Sequence, residues 1–344
     1  MKVAIVSSCF GSYGGIEAFV LALAKSLQKE GRCSPSVIWK QAGAFELSDE
    51  LIRRSQESGV PFQFVQPRSR ALWKAIQNSD FVHAQNSPPD VVFFSKLQGK
   101  PLALTIHNRR MSEHRWKSTI WHRMQQWADR RWYNSEFVRQ TWEGKSLKAG
   151  SRVIPTVSEL PEGEIPISSR KGFCFASRWI PNKGIEVLLE AYQRGSFDPS
   201  RWPLQMIGEG PLFLSLRRKY ETTLGVIFHG FVSESEKADL IRNSRWMVIP
   251  PHTQEDLGLT AIEARNVGVP CVATRDGGLP EAAGTSAILC EPGNVDALLQ
   301  ALHEATGISE SDYEKRSQES KSSLKHFLMP LSNYFQLYQE MVKA

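Results

Sequence analysis

The sequence predicts an α/β protein of two similar lobes, each built on a doubly wound parallel sheet. First, its 344 residues exceed what one hydrophobic core usually holds, so two domains are expected. Second, short apolar runs alternate with amphipathic stretches, as strands and crossover helices do. Third, this alternation restarts after residues 155–166, which are rich in proline and acid and therefore predict a linker.

In the first lobe, seven short apolar runs predict strands. In chain order they are residues 3–7, 36–39, 62–65, 81–84, 102–106, 132–134 and 153–154. The clearest helices are expected at residues 17–30 and 113–130. The apolar part of the first run is too short for a signal peptide, so we interpret it as a strand.

The second lobe repeats the pattern. Strands are expected at residues 172–176, 204–207, 226–228, 246–249, 271–273 and 287–289, and helices at 184–194, 212–223, 234–243, 259–268 and 295–306. The predicted domains are residues 1–160 and 167–324. A break at Pro330 predicts a final helix, within residues 325–344, that packs back on the first lobe.

Charge and cysteine content narrow the classes of partner and compartment. Residues 1–150 hold 22 Lys and Arg against 12 Asp and Glu, whereas the remainder holds 20 against 24. The first lobe therefore faces anionic partners; nucleic acid, anionic lipid and phosphorylated metabolites all satisfy this charge. The five cysteines are scattered and lack C-x-x-C spacing, which fits a reducing cytosol and neither a disulfide framework nor a zinc site.

Two strand-to-helix connections carry residues suited to phosphate. In the first lobe the strand is followed by a loop that contains Gly14 and Gly15, an arrangement that binds anions or serves as a plain tight turn. In the second lobe Arg178 and Lys183 lie between the first strand and helix. A planar guanidinium and a point charge together suit a diphosphate, although solvated loop cations remain the alternative.

Glu255 and Glu263 flank the predicted start of a helix in the second lobe. Gly258 opens this helix, and Leu259 and Thr260 follow it, so that free backbone N–H groups there would suit a diphosphate. Carboxylates on either side suit the hydroxyls of a ribose and of a sugar. Acids are also common near helix N-termini for electrostatic reasons alone.

Other candidates are less specific. Gly208-Glu209-Gly210 and Gly277-Gly278-Leu279-Pro280-Glu281 predict turns that enter helices. His107 follows a buried strand and would either contact a sugar hydroxyl or lie on an ordinary surface loop. Trp116, Trp121, Trp127 and Trp132 are interleaved with basic residues, which predicts either packing into the lobe or a membrane-contacting helix.

In their order and spacing these motifs resemble the retaining glycosyltransferases of family 4, which have the GT-B fold of two Rossmann-like domains that face a central cleft. The resemblance is strong from about residue 173 to 281 and weaker in the first lobe. It is carried by Arg178, Lys183-Gly184, the glycine turn at Gly208, the two glutamates, Gly268-Val269-Pro270-Cys271-Val272 and Gly277-Gly278-Leu279-Pro280-Glu281.

The resemblance implies transfer of a sugar from a UDP-, GDP- or ADP-sugar to an acceptor hydroxyl with retention, in polysaccharide, glycolipid or small-glycoside synthesis. It assigns the diphosphate to Arg178 and Lys183, the ribose to Glu263 and the transferred sugar to Glu255. It further implies that Gly14, Gly15, Gly208, Gly258, Leu259 and Thr260 contact the donor and that His107 lies near the anomeric carbon. As catalytic residues we expect His107, Glu255, Arg178 and Lys183.

The same resemblance implies that no metal or other cofactor is needed, and no D-x-D motif is present. We expect no nucleic-acid partner and a cytoplasmic protein. The basic first lobe leaves an anionic or membrane-anchored acceptor open, with peripheral contact at the inner face of the membrane. Asp256 replaces the family's glycine and His252 its serine, so sugar specificity does not transfer. A GT-B nucleotide-sugar epimerase and a non-catalytic nucleotide-sugar-binding protein remain the alternatives.

Overall fold

A computed structural model describes the chain except for Ser12, Ala42, Ala44, Phe45, Ser87, residues 111–114, Thr156, Glu159, Glu164, Gln254, Lys343 and Ala344; the side chains of residues 115–117 are also not described. The chain divides into two compact units, Met1–Glu159 with Leu328–Ala344, and Leu160–Phe327. Of the predicted linker at residues 155–166, Thr156, Glu159 and Glu164 lie outside the described residues.

The first unit contains one parallel seven-stranded sheet in the order β3-β2-β1-β4-β5-β6-β7. Its strands are β1 (Lys2–Cys9), β2 (Ser34–Gln41), β3 (Phe62–Val65), β4 (Phe81–Gln85), β5 (Leu102–Ile106), β6 (Arg130–Tyr133) and β7 (Ser151–Val153). Alternate side chains of β1 enter different cores: Val3 and Ile5 pack on one face and Ala4 and Val6 on the other. Helices therefore cover both faces, as in a doubly wound sheet.

The helices of this unit are α1 (Gly15–Lys29), α2 (Asp49–Glu57), α3 (Arg70–Gln77), α4 (Pro89–Leu97), α5 (Arg115–Gln125), α6 (Glu136–Glu143) and the C-terminal α14 (Tyr334–Val342). Side chains of α1 and α14 share one core, whereas those of α3, α4 and α6 share the other. Ser135 caps the start of α6, since its Oγ accepts a hydrogen bond from Val138 N–H at 3.1 Å.

The second unit contains a parallel six-stranded sheet in the order β10-β9-β8-β11-β12-β13. Its strands are β8 (Lys171–Ala176), β9 (Leu204–Ile207), β10 (Val226–Gly230), β11 (Ser244–Ile249), β12 (Cys271–Thr274) and β13 (Ile288–Cys290). Its helices are α7 (Ile185–Gly195), α8 (Phe213–Tyr220), α9 (Glu234–Asn243), α10 (Leu259–Asn266), α11 (Leu279–Ala283), α12 (Val295–Gly307) and α13 (Glu310–Phe327). Two parallel sheets with many helices confirm the predicted α/β fold class.

Two helix predictions need correction. The helix expected at residues 113–130 ends at Gln125 and its predicted start lies outside the described residues. Arg130 pairs with Ala103 of β5, so parallel pairing extends the next strand over the predicted end of the helix. Helix α13 was not predicted, because its long polar sequence shows little apolar periodicity. Its inner face is anchored by few side chains, among them Tyr313 and Leu324.

The C-terminal helix α14 belongs to the first unit, as predicted, and aromatic side chains attach it to the sheet. Tyr338 Oη lies 2.8 Å from Nδ1 of His83 on β4, and the Tyr338 ring lies 4.5 Å from that of Phe81. His83 Nε2 lies 2.7 Å from Thr105 Oγ1. Both ring nitrogens of this buried histidine therefore have partners.

Candidate functional site

The second unit contains a pocket at the carboxyl ends of β8 and β11, which are neighbours where the strand order reverses. Ligands of open α/β sheets bind at such a switch point. The pocket has a volume of about 170 Å³. Its lining residues are Phe175, Ala176, Ser177, Lys183, Ile249, Pro251, Glu255, Gly258, Leu259 and Thr260. The fold thus brings together five predicted site residues from two separate segments of the chain, namely Lys183 and four residues within 255–260.

Lys183 and Glu255 form an ion pair in this pocket. Lys183 Nζ lies 2.5 Å from Glu255 Oε2, and the two side chains are 20% and 19% exposed. Gly184, directly after the lysine, has φ +68°, and a Cβ there would lie 1.8 Å from the carbonyl oxygen of Pro250. Only glycine permits this close approach, which places the lysine turn against the loop after β11.

The start of α10 supplies backbone N–H groups to the same pocket. Gly258 precedes the helix with φ +94° and, as a glycine, has no side chain to cap it. The first turn, which begins with Leu259 and Thr260, contains no acidic residue. Ala261 N–H donates to the carbonyl of Gly258 at 3.1 Å, whereas the N–H groups of Leu259 and Thr260 precede this first hydrogen bond of the helix and are suited to bind an anion.

The loop that carries Glu255 is held by the predicted glycine turn after β12. Glu255 N–H donates to Asp276 Oδ2 at 2.6 Å, and Gly278 N–H donates to the carbonyl of Glu255 at 2.7 Å. Gly277 has φ +55°, and a Cβ there would lie 2.1 Å from the same carbonyl oxygen. Besides turning the chain, this motif therefore binds the main chain of the loop that carries Glu255.

Glu263 lies about one turn further along α10, outside the pocket lining. Its Oε1 lies 3.2 Å from Nζ of Lys237 on α9, while its buried Oε2 has no hydrogen-bond partner among the described residues. Burial raises the pKa of the Glu263 carboxyl, and the Lys237 ammonium opposes that rise. An unpartnered buried carboxylate oxygen is costly unless a donor such as a hydroxyl reaches it.

Arg178 shares the β8–α7 loop with Lys183 but lies outside the pocket lining, exposed and without a side-chain partner in the described part of the chain. The glycine turn after β9 supports its loop. A Cβ at Gly208 would lie 1.9 Å from the carbonyl oxygen of Ser177, and one at Gly210 would lie 2.7 Å from that of Trp179. Gly208 therefore contacts the loop of Arg178.

His107, one of the candidates in the first unit, is buried at the carboxyl end of β5. Its Nε2 lies 2.9 Å from Gln85 Oε1, and its carbonyl accepts from Asn134 Nδ2 at 2.9 Å. Burial lowers the pKa of the ring to about 4, so the imidazole is neutral at pH 7. It suits hydrogen bonding or proton transfer and does not supply a fixed charge.

Gly14 and Gly15 are exposed at the start of α1, also in the first unit. Gly14 has an extended backbone, and a Cβ there would lie 3.3 Å from Glu17 Oε2. Ser12 of the same loop lies outside the described residues. The proposed contact of these glycines with a donor stays a prediction.

Sequence reasoning missed Asp276 and Lys237. Asp276 directly precedes the predicted glycine turn at Gly277, and this position could have indicated its role. Lys237, by contrast, resembles any lysine on an amphipathic helix.

The four tryptophans that are interleaved with basic residues differ in exposure. Trp132 packs in the core, Trp121 and Trp127 are exposed, and the side chain of Trp116 is not among those that the structure describes. None of the described helices is long and apolar enough to cross a membrane.

Comparison with known proteins agrees with this geometry. A model of Glycosyltransferase Family 4 matches residues 13–157, and one of Glycosyl transferases group 1 matches residues 170–306. The chain is 28% identical over 134 residues to an uncharacterised glycosyltransferase of Methanocaldococcus jannaschii. This match covers 38% of the present chain and 36% of that protein. It is 30% identical over 133 residues to O-antigen chain mannosyltransferase B of Escherichia coli, covering 36% and 35%. The chain thus spans little more than a third of each relative.

Among solved structures, HepE of Anabaena in complex with UDP superposes with a TM-score of 0.80 at 15% identity, over 100% of both chains. This likeness shows the fold. Together the two family models account for both units. The chain belongs to the GT-B glycosyltransferases of the family 4 type.

Proposed function

We propose that the chain transfers a sugar from a nucleotide diphosphate sugar to an acceptor hydroxyl, with retention of anomeric configuration and without a metal ion. The observation that carries this proposal is the pocket in which Lys183, Glu255 and the start of α10 converge. A cation and free backbone N–H groups suit the diphosphate, while a carboxylate suits sugar hydroxyls. The Anabaena structure was also solved with UDP-glucose, which makes a UDP-sugar a reasonable first donor to test.

In the proposed reaction the diphosphate replaces Glu255 as the partner of Lys183, which leaves the Glu255 carboxylate available to the transferred sugar. Arg178, Lys183 and the N–H groups of Leu259 and Thr260 stabilise the charge on the leaving diphosphate. Glu263, with its unpartnered Oε2, accepts hydrogen bonds from the ribose hydroxyls.

The acceptor oxygen bonds to the anomeric carbon on the face that the diphosphate leaves, and a diphosphate oxygen takes the acceptor proton. Retention follows from attack on that face. His107, neutral at pH 7, is proposed to contact the sugar by hydrogen bonding. We also propose a cytoplasmic protein, since all five cysteines are unpaired thiols.

The test is release of nucleoside diphosphate from UDP-glucose, GDP-mannose and ADP-glucose, with water as the acceptor. Lys183→Ala and Glu255→Ala should each lower kcat/KM with the best donor by about a hundredfold, because each removes a charged contact. The matched control is the exposed ion pair of Lys219 and Glu186 in the same unit, at 2.7 Å. Lys219→Ala and Glu186→Ala should leave activity unchanged.

Other products would reassign the reaction. A donor sugar inverted at one carbon, with the diphosphate still attached, would identify an epimerase. Donor binding without any turnover or transfer would identify a non-catalytic binding protein. Unchanged activity of both Lys183→Ala and Glu255→Ala would remove the proposed site.

A further inference from the structure

Large apolar side chains are exposed on neighbouring elements of the first unit, namely α4, the adjacent α5 and the turn that follows α5. Phe93 and Leu97 are four residues apart on α4 and therefore share one face. Ile120 and Trp121 lie on α5, and Trp127 lies in the turn after it. All five side chains are between 44% and 63% exposed. We call this set the α4–α5 apolar surface.

The elements that carry this surface are firmly placed. The opposite face of α4 is buried through Val91 and Val92. At the end of α4, Lys96 Nζ lies 2.6 Å from Asp129 Oδ1, two residues after Trp127. This ion pair joins the end of α4 to the turn after α5. The exposed apolar groups therefore belong to an ordered face of the domain.

The apolar surface lies in a strongly basic part of the chain. Residues 70–130 hold ten Lys and Arg against four Asp and Glu. Two of those four acids are neutralised by lysines, because Asp90 pairs with Lys40 and Asp129 with Lys96. The charge that remains available to an outside partner is therefore positive.

Exposed cations stand on the helices at both sides. Arg123 lies on α5, and Arg70 and Lys74 lie on α3; all three are exposed. Helix α3 packs beside α4, since the rings of Trp73 and Phe94 lie 5.2 Å apart. Exposed cations therefore lie on both helices that neighbour α4.

We infer that the α4–α5 apolar surface docks on an anionic phospholipid bilayer. Its apolar side chains enter the boundary between headgroups and acyl chains, while Arg70, Lys74 and Arg123 contact the anionic headgroups. A second copy of the chain fits less well, because a symmetric contact would set two basic rims against each other. The inference does not depend on the proposed glycosyl transfer.

The test is co-sedimentation of the full chain with vesicles of phosphatidylcholine alone and of equal parts phosphatidylcholine and phosphatidylglycerol. Binding is expected only to the anionic vesicles, and it should weaken as salt screens the cations. Leu97→Ser with Trp127→Ser, and separately Lys74→Glu with Arg123→Glu, should each weaken vesicle binding by about tenfold or more.

Matched variants control for loss of apolar surface and of charge as such. Leu224→Ser with Phe231→Ser removes two even more exposed apolar groups from the second unit, and Arg218→Glu reverses an exposed charge there. Both should bind vesicles like the parent chain. Equal weakening by the control and test variants would overturn the inference, as would absence of binding to anionic vesicles at low salt. Oligomers that Leu97→Ser with Trp127→Ser dissociates, without vesicle binding, would instead assign the surface to a second copy.

Discussion

The backbone N–H of Glu255 donates to Oδ2 of Asp276 at 2.6 Å, so a residue 21 positions further along the chain holds the loop of the site. Asp276 follows β12 and is 7% exposed. Its carboxylate acts on the main chain of Glu255, while the Glu255 side chain contacts Lys183. Asp276 is therefore a positioning residue: it restricts the loop and need not touch the donor.

Replacement of Asp276 should separate this role from a merely structural one. Asp276→Ala removes the acceptor of the Glu255 N–H, and kcat for donor hydrolysis should fall about tenfold with a smaller change in KM. Asp276→Asn keeps an acceptor oxygen at the same place and should restore most of kcat. Steady-state kinetics of the two variants check this, and equal losses in both would contradict the assignment.

Gly277→Ala should displace the same loop from the other side. Its Cβ would lie 2.1 Å from the carbonyl oxygen of Glu255, at a φ of +55°. Gly31→Ala is the matched control, since Gly31 has φ +66° with nothing within 4 Å. Both variants should lose about 1 kcal/mol of unfolding free energy through backbone strain. Only Gly277→Ala should lose a further 1–3 kcal/mol or so through overpacking, together with activity. Urea unfolding and donor hydrolysis measure the two effects.

Glu263→Gln tests the unpartnered buried carboxylate. The amide offers one neutral acceptor oxygen, so affinity for UDP should fall between about tenfold and a hundredfold, the value of a hydrogen bond to a charged group. Lys237→Met should raise the pKa of the Glu263 carboxyl, because the lysine opposes its protonation. Weakening of UDP binding on acidification should then begin at a higher pH. Calorimetric titration across pH checks both expectations, and a pH profile unmoved by Lys237→Met would contradict the second.

Acid should destabilise the first unit through its buried histidines. Burial lowers the pKa of His83 to about 3 and that of His107 to about 4, below the ordinary value of 6.5. Below pH 6.5 these histidines bind protons in the unfolded chain but stay neutral in the folded chain. The free energy of unfolding therefore decreases as the pH is lowered. Between pH 7 and pH 5 each histidine should contribute a loss of about 2 kcal/mol. Urea unfolding at both pH values checks this.

A variant assigns part of that loss to one residue. His83→Gln retains groups that can bond Tyr338 and Thr105 but does not titrate in this range. The pH-dependent loss should shrink by about 2 kcal/mol in this variant. A loss that stays as large as in the parent chain would show that other groups cause it.

Much of the fold was predictable because burial gives each helix or strand a local pattern of apolar residues. The apolar run at residues 102–106 coincides with β5, which is buried on both faces of the sheet. Polar segments lack such a pattern, so α13 and the end of α5 were not predicted correctly. There, packing and pairing with distant residues decide the structure, since the segment itself shows no clear pattern.

By itself the sequence determined the fold class, the glycine turns and the residue types of the site, because these depend on local spacing. It singled out Lys183 and Glu255 separately, 72 residues apart. Only the tertiary structure brought them to 2.5 Å, attached the Glu255 loop to Asp276 and placed Lys237 beside Glu263. The physical reason is that a parallel sheet sets the carboxyl ends of its strands along one edge. Which loops meet at that edge depends on strand order, and no local pattern encodes that order.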